Sequence, residues 1–304
     1  MDNLVPIGMI YSTLILSIIG FIGNLTIVII TILNKSLKTR CNILVGLLAF
    51  WDAVVCIYLI QLRIMMLLNF YMINSMFCYT LSAYGLFALN MQSSLGLVIG
   101  CDRLYNVSFP LKYSRVPNIF YTFAIAICVF FSFLITFLGY LSASEKVKVA
   151  VCLPPTAYNG QSRYIWIASN FVISIIVIGL YGTSHIKCKA LMKNHKHNHT
   201  IRMIQKLMRS LNVVIGIYVS TWFLTISALV ITQMFELPPG VIAEINQQLG
   251  WLVIINASLN VFVYFWRTSE YRRSIIKLYS FGIIKLEKSS IAPISQIHRS
   301  SIIR

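Results

Sequence analysis

Long apolar segments separated by short polar and basic stretches dominate the pattern of this chain. A helix needs about 20 predominantly apolar residues to cross the hydrocarbon of a bilayer, and stretches of that length recur along the sequence. We count seven, and we predict that all are membrane-spanning helices, because a helix satisfies its backbone hydrogen bonds internally. Their approximate bounds are 6–33, 42–66, 77–105, 118–141, 164–187, 207–235 and 244–266.

Composition and charge distribution refine this class. Of the 304 residues 58% are apolar and 11% are charged, proportions that exclude an ordinary soluble domain. The net charge of +17 would suit a nucleic-acid-binding protein, but the basic residues are concentrated after the first, third and fifth apolar segments and in the tail. The positive-inside rule therefore predicts an extracellular N-terminus and a cytoplasmic C-terminus in the plasma membrane, with no nucleic acid as a partner.

The polar stretches are too short for a second domain, so we predict a single domain over residues 1–304. We expect no cleaved signal peptide, because the first segment is too long and no basic residue precedes it. Residues 268–280 mix cations with isoleucine and leucine, a pattern typical of an amphipathic helix at a membrane surface. The prediction is an all-α membrane protein: a seven-transmembrane helix bundle, a short cytoplasmic amphipathic eighth helix, and a disordered tail over 284–304.

Two of the seven cysteines fall on the predicted extracellular side. Cys78 opens the third segment, and Cys152 lies in the middle of the connection between segments four and five. Both can meet an oxidising compartment, so we predict a disulfide that holds this connection across the mouth of the bundle. Two free thiols remain the alternative, because spacing alone does not test disulfide geometry.

An acid and a base, Asp102 and Arg103, stand next to each other at the far end of the third segment. A helix rises about 36 Å between Cys78 and Asp102, so the pair lies at the opposite face of the membrane from the predicted disulfide. Charged residues within a membrane segment are functional candidates by default. Release of Arg103 from a charge-assisted pair would free it to contact a partner; the alternative is a pair that only reaches towards lipid headgroups.

Several short motifs follow one another along the segments. They are Gly23-Asn24, Leu48-Ala49-Phe50-Trp51-Asp52, Asp102-Arg103 followed by Pro110, Trp222, Asn256 and Asn260-Val261-Phe262-Val263-Tyr264. This ordered set resembles the rhodopsin-like (class A) G-protein-coupled receptors over nearly the full length of the chain. The stretches 41–50 and 102–113 are most similar to the nematode serpentine receptors of class sx. The resemblance implies a receptor that passes a ligand signal to a heterotrimeric G protein.

The resemblance also implies roles for polar residues inside the bundle. Those implied in the activation switch and in coupling to the G protein are Asp102, Arg103, Tyr181, Asn260 and Tyr264. Those implied in a polar core that holds a sodium ion in the family are Asn24, Asp52, Gln92, Asn256 and Asn260. Gln92 is larger than the serine usual at its place, so a hydrogen-bond network without an ion is the alternative. Elsewhere we predict no metal site, and we interpret the histidines of 195–199 as part of a solvated basic loop.

Other positions depart from the family pattern. Leu224 and Val261 stand where segments six and seven usually carry proline, so we expect both helices to kink less. Lys206 and Arg209 occupy the cytoplasmic start of segment six in place of an acid. The ionic latch that some family members form between that helix and Arg103 is therefore not expected, and we predict some signalling without ligand.

A few residues of the extracellular half constrain the ligand. Gly85, itself a candidate wall residue, stands where amine receptors carry an aspartate, which disfavours an amine ligand. Arg63 would bind a carboxylate or phosphate bidentately if it faces inward, and would reach for lipid headgroups if it faces outward. Trp222 resembles the aromatic toggle beneath a ligand pocket, with plain packing as the alternative. The other candidate wall residues are Tyr84, Asn90, Thr225, Asn246 and Trp251.

Other classes of seven-helix protein fit less well. A retinal protein needs a lysine in segment seven, which 244–266 lacks, and a channel or transporter usually shows more intramembrane charge or internal repeats. An enzyme would need a nucleophile, a base or a metal at midspan, so we predict neither catalysis nor a cofactor. The resemblance to class sx implies a nematode chemoreceptor for a small molecule, with a sensory cilium as one location. The basic loops and tail suit a contact with anionic lipid. A receptor for a neuropeptide or another endogenous ligand is the runner-up, and a transporter or channel is a remote alternative.

Overall fold

The computed structural model describes residues 5–113, 115–194, 213, 215–235 and 237–280. Seven helices in these ranges are long and apolar enough to cross a membrane. They are α1 (Ile7–Leu33), α2 (Arg40–Leu67), α3 (Ser75–Ser108), α4 (Asn118–Ser142), α5 (Gly160–Asn194), α6 (Ile215–Met234) and α7, which consists of Pro239–Ser258 and Asn260–Arg267. The predicted seven-helix membrane bundle is confirmed.

Shorter elements join the spanning helices. The two-residue strands β1 (Ile73–Asn74) and β2 (Lys148–Val149) pair antiparallel, and a helix α8 follows α7 at Ser269–Tyr279. A 3-10 turn and two one-turn helices lie at Lys35–Leu37, Pro110–Tyr113 and Pro154–Ala157. The predicted start of segment six at 207, the basic loop 195–199 and the tail 284–304 lie outside the described residues.

Capping side chains set where two of the helices begin. The Asn74 side chain accepts a hydrogen bond from the backbone N–H of Phe77, with 2.6 Å between Oδ1 and N. The Thr39 hydroxyl accepts in the same way from the backbone N–H of Asn42 at 3.3 Å. Because a side-chain oxygen satisfies an N–H group that the first helical turn leaves unpaired, α3 begins at Ser75 rather than at the predicted residue 77.

α3 lies at the centre of the bundle. It packs against α2, α4 and α5, while α1 packs against α2 and α7. α6 contacts α5 and α7 and so closes the ring. Buried residues of α3 run from Ser75 at one end to Val107 at the other, so neighbouring helices enclose its polar groups along the whole length.

The mostly apolar helix α4 turns one narrow face, made chiefly of small residues, towards the bundle. Its buried residues recur every three or four positions, and they are Cys128, Ser132, Ile135 and Gly139. A Cβ atom at Gly139 would overlap with the side chains of Tyr79 and Tyr158, so glycine permits this close approach. Large phenylalanine side chains cover the opposite face of α4, as expected for a surface that meets lipid.

α6 and α7 depart from a regular α-helix along their length. Five residues of α6, Val219–Phe223, form a π-helical segment that contains Trp222. α7 is interrupted at Leu259. The absence of proline at Leu224 and Val261 therefore does not leave these helices regular, because an inserted residue also breaks the hydrogen-bond ladder of a helix.

α8 packs against α1 and the last part of α7. The rings of Tyr264 and Tyr271 lie 5.1 Å apart between their centroids, and both Tyr271 and Ile275 are buried. The hydroxyl groups of Thr26 on α1 and Tyr279 share a hydrogen bond of 2.8 Å. The helix lies within the range 268–280, and its placement at a membrane surface stays a prediction.

Candidate ligand cavity and charged switch

A disulfide between Cys78 and Cys152 fixes one end of the bundle. Their Sγ atoms lie 2.04 Å apart, which confirms the predicted pairing. β2 pairs with β1 directly before α3, with Ile73 opposite Val149, and this pairing carries the connection between α4 and α5 back to the start of α3. We refer to this end of the bundle as the disulfide end.

A narrow cavity lies next to this connection, among α2, α3, α5, α6 and α7. Leu153, Pro154 and Pro155, which follow Cys152 directly, form part of its wall. The helices contribute mostly apolar side chains together with a few that carry polar groups, namely Arg63, Trp166, Trp222, Thr225 and Asn246. The disulfide therefore holds one part of the cavity wall in place.

Among the described residues that line this wall, Arg63 of α2 is the only charged one. Its side chain is only 1% exposed, and its Nε and Nη2 atoms have no hydrogen-bond partner among the described residues. Nη1 lies 3.2 Å from the sulfur of Met66, a weak acceptor. A Cβ atom at Gly250 of α7 would lie 3.3 Å from Nη2, so the guanidinium group points into the bundle. Of the two orientations that the sequence leaves open, the structure has the inward one.

Trp222 belongs both to the cavity wall and to the π-helical segment of α6. Its side chain is buried, and Nε1 has no hydrogen-bond partner among the described residues. The preceding residue, Thr221, donates a hydrogen bond to Oδ1 of Asn256 on α7, at 3.2 Å. A displacement of Trp222 would thus act on a segment that is directly bonded to α7.

The cavity is not lined by four of the predicted wall residues, and the prediction is corrected for Gly85, Tyr84, Trp251 and Asn90. Gly85 packs against the ring of Tyr58 on α2. Tyr84 is 38% exposed on the outside of the bundle and donates a hydrogen bond to Oε1 of Gln61 at 2.7 Å. Trp251 packs with an apolar cluster at the start of α1. Position along a helix gives the depth of a residue in the membrane, but not the side of the helix on which it lies.

Asn90 lies behind the wall rather than in it. Its Oδ1 atom accepts a hydrogen bond from Nε1 of Trp166 at 3.1 Å, and its Nδ2 atom donates to the Tyr158 hydroxyl at 3.3 Å. The rings of Tyr158 and Trp166 stack with 5.1 Å between centroids. Asn90 therefore orients Trp166, whose side chain lines the cavity.

The predicted polar core forms separate contacts. Asn260 donates a hydrogen bond to Oδ2 of Asp52, whereas Oδ1 of Asp52 has no partner among the described residues. Asn24 donates to the backbone oxygen of Ala257 at 2.7 Å and so ties α1 to α7. Gln92 lies in α3, and its side chain is half-buried. Oδ1 of Asn24 is likewise without a partner among the described residues, and unpaired oxygens of this kind are suitable cation ligands. The sodium site and the hydrogen-bond network without an ion therefore both stay predictions.

Asp102 and Arg103 form a buried ion pair at the other end of α3, which we refer to as the Arg103 end. Nη2 of Arg103 lies 2.8 Å from Oδ2 of Asp102, and each side chain is 1% exposed. Oδ1 of Asp102 accepts hydrogen bonds from the hydroxyl groups of Tyr113 at 2.9 Å and Tyr121 at 2.6 Å. The tyrosines therefore satisfy the carboxylate oxygen that Arg103 does not contact.

Two further interactions support the tyrosines around Asp102. Burial and the neighbouring Asp102 carboxylate raise the pKa of the Tyr113 hydroxyl, so it stays protonated and able to donate. Arg40 of α2 donates a hydrogen bond to the backbone oxygen of Tyr113 at 3.0 Å, and its guanidinium carbon lies 5.8 Å from the ring centroid of Tyr121. The start of α2, the turn after α3 and the start of α4 thus meet around one carboxylate.

The remaining predicted switch residues are two tyrosines. Tyr181 of α5 is buried beside Arg103, and a Cβ atom at Gly100 would lie 3.2 Å from its ring. Tyr264 of α7 is buried against Tyr271 of α8. Lys206 and Arg209, on which the missing ionic latch was predicted, lie outside the described residues.

The sequence reasoning missed the tyrosines that hold Asp102. Tyr113 and Tyr121 follow Asp102 by 11 and 19 positions, so no single helix brings them to it. The available signal was the pair Pro110 and Pro117, because prolines so close together predict a turn that returns the chain after α3. Arg40 carried no signal of its own beyond its place at the start of α2.

Comparison with known families agrees with this architecture. A family model described as "Serpentine type 7TM GPCR chemoreceptor Srsx" matches residues 17–279, which extend from within α1 to the end of α8. The matched range contains the disulfide, the cavity residues and the Asp102–Arg103 pair, and the match confirms the resemblance given by the motifs. No curated protein matches the chain.

Proposed function

Because the chain belongs to the Srsx family of serpentine G-protein-coupled chemoreceptors, we propose that it binds an extracellular small molecule in the cavity and activates a heterotrimeric G protein. In this proposal the disulfide end faces the outside of the cell and the Arg103 end faces the cytoplasm. The N-terminus is then extracellular and the C-terminus cytoplasmic, in the plasma membrane and in the sensory cilium of a chemosensory cell. The positive-inside rule supports this orientation.

The cavity beside the disulfide-linked connection is the observation that carries the proposal. Its wall combines side chains of α2, α3, α5, α6 and α7, so a bound molecule would contact five helices at once. Such a ligand binds one arrangement of the helices better than another, and this difference in affinity shifts the population of the two arrangements. The narrowness of the cavity implies that a ligand displaces wall side chains as it binds.

The interrupted middle of α6 is the element that would transmit this shift. Trp222 of the cavity wall lies in the π-helical segment, and Thr221 of the same segment bonds to Asn256 of α7. One turn further along α7, Asn260 bonds to Asp52 of α2. A ligand that displaces Trp222 therefore changes how α6 and α7 pack together. In the active arrangement Arg103 leaves Asp102 and contacts the G protein, with Tyr181 and Tyr264 beside it.

The exposed face of α8 is suited to contact anionic lipid at the cytoplasmic surface. Its Tyr271 and Ile275 side chains are buried against the bundle, whereas Arg272, Arg273 and Lys277 are exposed. Exposed cations of this kind attract the anionic headgroups of a cytoplasmic leaflet.

The narrow cavity supports a small molecule over a peptide, the two ligand classes that the sequence leaves open. A small molecule needs only the displacement of a few wall side chains, whereas a neuropeptide would have to bind over the connections at the disulfide end. The geometry therefore favours the small molecule, and a response to peptides is one of the results that the ligand screen can give.

The test is a ligand screen on cells that express the full-length chain, with cyclic AMP and calcium read together. We expect a small molecule to elicit a response that disappears in Arg103→Ala at equal surface expression. Arg115→Ala serves as the matched control, because it removes an exposed cation from the same end of the bundle. A response to peptides alone would contradict the small-molecule part of the proposal, and a ligand-induced membrane current that persists in Arg103→Ala would contradict G-protein coupling.

A further inference from the structure

Arg63 is a buried cation whose hydrogen-bonding capacity is largely unused. A guanidinium group has five N–H bonds in a planar fork, and those on Nε and Nη2 find no partner among the described residues. Among the described residues, the Nη1 group donates only to the sulfur of Met66. A side chain that is 1% exposed has lost its contact with bulk water, so these unmade hydrogen bonds destabilise the receptor.

No acid of the described chain neutralises this cation. The ion pair recorded among the described residues joins Arg103 to Asp102, near the opposite end of the bundle. The described residues that line the cavity include no carboxylate. A buried charge is stable only when it is paired and hydrogen-bonded, so an anion bound in the cavity would stabilise Arg63 electrostatically.

Two further polar groups of the same wall are also unpaired. The indole Nε1 of Trp222, which is a donor only, has no hydrogen-bond partner among the described residues, and neither has Oδ1 of Asn246. Trp166 and Thr225 also carry polar groups, but these already donate to Asn90 and to the backbone oxygen of Thr221. The other side chains of the helical wall are apolar and include Leu59, Leu89, Ile226, Leu229 and Val253. The cavity thus offers one cation, one indole donor and one amide beside an apolar surface.

We infer that the cavity binds a small organic acid, with its carboxylate held by Arg63 and its hydrocarbon body against the apolar wall. This inference rests on the proposed role of the cavity as the ligand site. A carboxylate accepts two parallel N–H bonds from the unpaired edge of the guanidinium, which is the pairing that arginine forms best. A single cation neutralises one carboxylate, whereas a phosphate dianion would leave a buried negative charge. An amine would place two cations together in a wall without an acid.

The first experiment measures binding without any signalling step. The full-length receptor is purified in detergent, and its thermal unfolding midpoint is followed with acetate, butyrate, hexanoate, octanoate, benzoate or phenylacetate. The primary amide of each acid serves as its neutral match. We expect at least one acid to raise the midpoint, because a ligand that binds the folded state stabilises it, and its amide to require an about 10-fold to 100-fold higher concentration.

Variants of Arg63 show whether this residue is the anion site. Arg63→Met keeps a long unbranched side chain and removes the charge, so we expect the variant without ligand to unfold at a higher temperature and to lose the acid-induced shift. Arg63→Lys keeps the charge but not the planar fork, and we expect an about 10-fold weaker response to the acid. Arg163→Met is the matched control, because Arg163 lies at the start of α5, outside the cavity wall. This variant should keep the acid-induced shift of the unfolding midpoint.

The outcomes separate this inference from the proposed function. An acid-induced shift that depends on Arg63, in a receptor that gives no cellular response, would support the inference and contradict G-protein activation. A cellular response to neutral compounds but to none of the acids would support G-protein activation and contradict the inference of an organic acid. An unchanged acid shift in Arg63→Met, or the absence of any acid shift in the wild type, would overturn the inference. A lower midpoint of ligand-free Arg63→Met and Arg63→Lys alike would also overturn it, since that result assigns Arg63 a structural role.

Discussion

Tyr121 of α4 donates a hydrogen bond to Oδ1 of Asp102 on α3, with 2.6 Å between the two oxygens. Tyr113, in the turn between these helices, donates to the same oxygen at 2.9 Å. The other carboxylate oxygen faces Nη2 of Arg103 at 2.8 Å. The carboxylate that restrains Arg103 is therefore fixed by α4 and the preceding turn, and its position depends on contacts that lie outside α3.

Loss of the Asp102 charge should raise signalling without ligand. Asp102→Asn keeps the size of the side chain but removes the ionic attraction to Arg103, so the arrangement with a free Arg103 becomes more populated. We expect a several-fold rise in basal cyclic AMP or calcium signal at equal surface expression. A basal signal at or below that of the wild type would contradict the proposed restraint, provided that the variant reaches the surface.

The two tyrosines should contribute to the same restraint. Tyr121→Phe and Tyr113→Phe each remove one hydrogen bond to a charged group, worth about 1.5–3 kcal/mol, without changing the ring. We expect each to raise basal signalling less than Asp102→Asn does, and neither to raise it further when added to Asp102→Asn. Tyr140→Phe, at an exposed position of α4, is the matched control. Fully additive effects in the combined variants would show that the tyrosines act elsewhere.

The disulfide should stabilise both the fold and the cavity. Cys78→Ser removes a bond that closes a loop of sequence separation 74, and we expect it to lower the free energy of unfolding by about 2–5 kcal/mol. Response to any cavity ligand should weaken, because Leu153, Pro154 and Pro155 follow Cys152 in the wall. The double variant Cys78→Ser with Cys152→Ser should match the single one, while Cys101→Ser, at an exposed free thiol, should leave the unfolding midpoint unchanged.

The spans and the disulfide were predictable because simple physical limits set them. Bilayer thickness fixes the length of a crossing helix, and the side of the membrane on which Cys78 and Cys152 lie restricts their pairing. The π-helical segment Val219–Phe223 was not predictable in this way. Proline marks one route to an interrupted helix, but an inserted residue in the hydrogen-bond ladder leaves no signature in composition.

For the candidate site, the sequence predicted how deep each residue lies in the membrane, but only partly which side of its helix each residue occupies. Arg63, Trp222, Thr225 and Asn246 line the cavity, whereas Gly85 of the same predicted set faces Tyr58. A membrane helix is apolar on all sides, so its pattern of polar positions gives little information about which side meets its neighbours. Rotation of such a helix is set by the shapes of the side chains that pack against it, and these come from distant parts of the chain.

Sodium should have little specific effect on this receptor. Oδ2 of Asp52 is bonded to Asn260, and Gln92 is larger than the serine that the family resemblance implies at its place. We expect the unfolding midpoint of the purified receptor, and its affinity for a cavity ligand, to be the same in sodium chloride as in choline chloride at equal ionic strength. A sodium-specific shift that disappears in Asp52→Asn would contradict this and would establish a cation site at Asp52.

Two glycines of α3 provide a direct test of how this helix is packed. A Cβ atom at Gly85 would overlap with the buried ring of Tyr58, whereas one at Gly96 would meet no atom within 4 Å. Gly85→Ala should therefore force α2 and α3 apart or displace the ring, at a cost of about 1–3 kcal/mol in the free energy of unfolding. Gly96→Ala adds the same methyl group to open space and should leave the unfolding midpoint unchanged or raise it slightly, because alanine favours a helix. Thermal unfolding of the two purified variants side by side measures the difference. Equal midpoints would contradict the close contact between Gly85 and the Tyr58 ring.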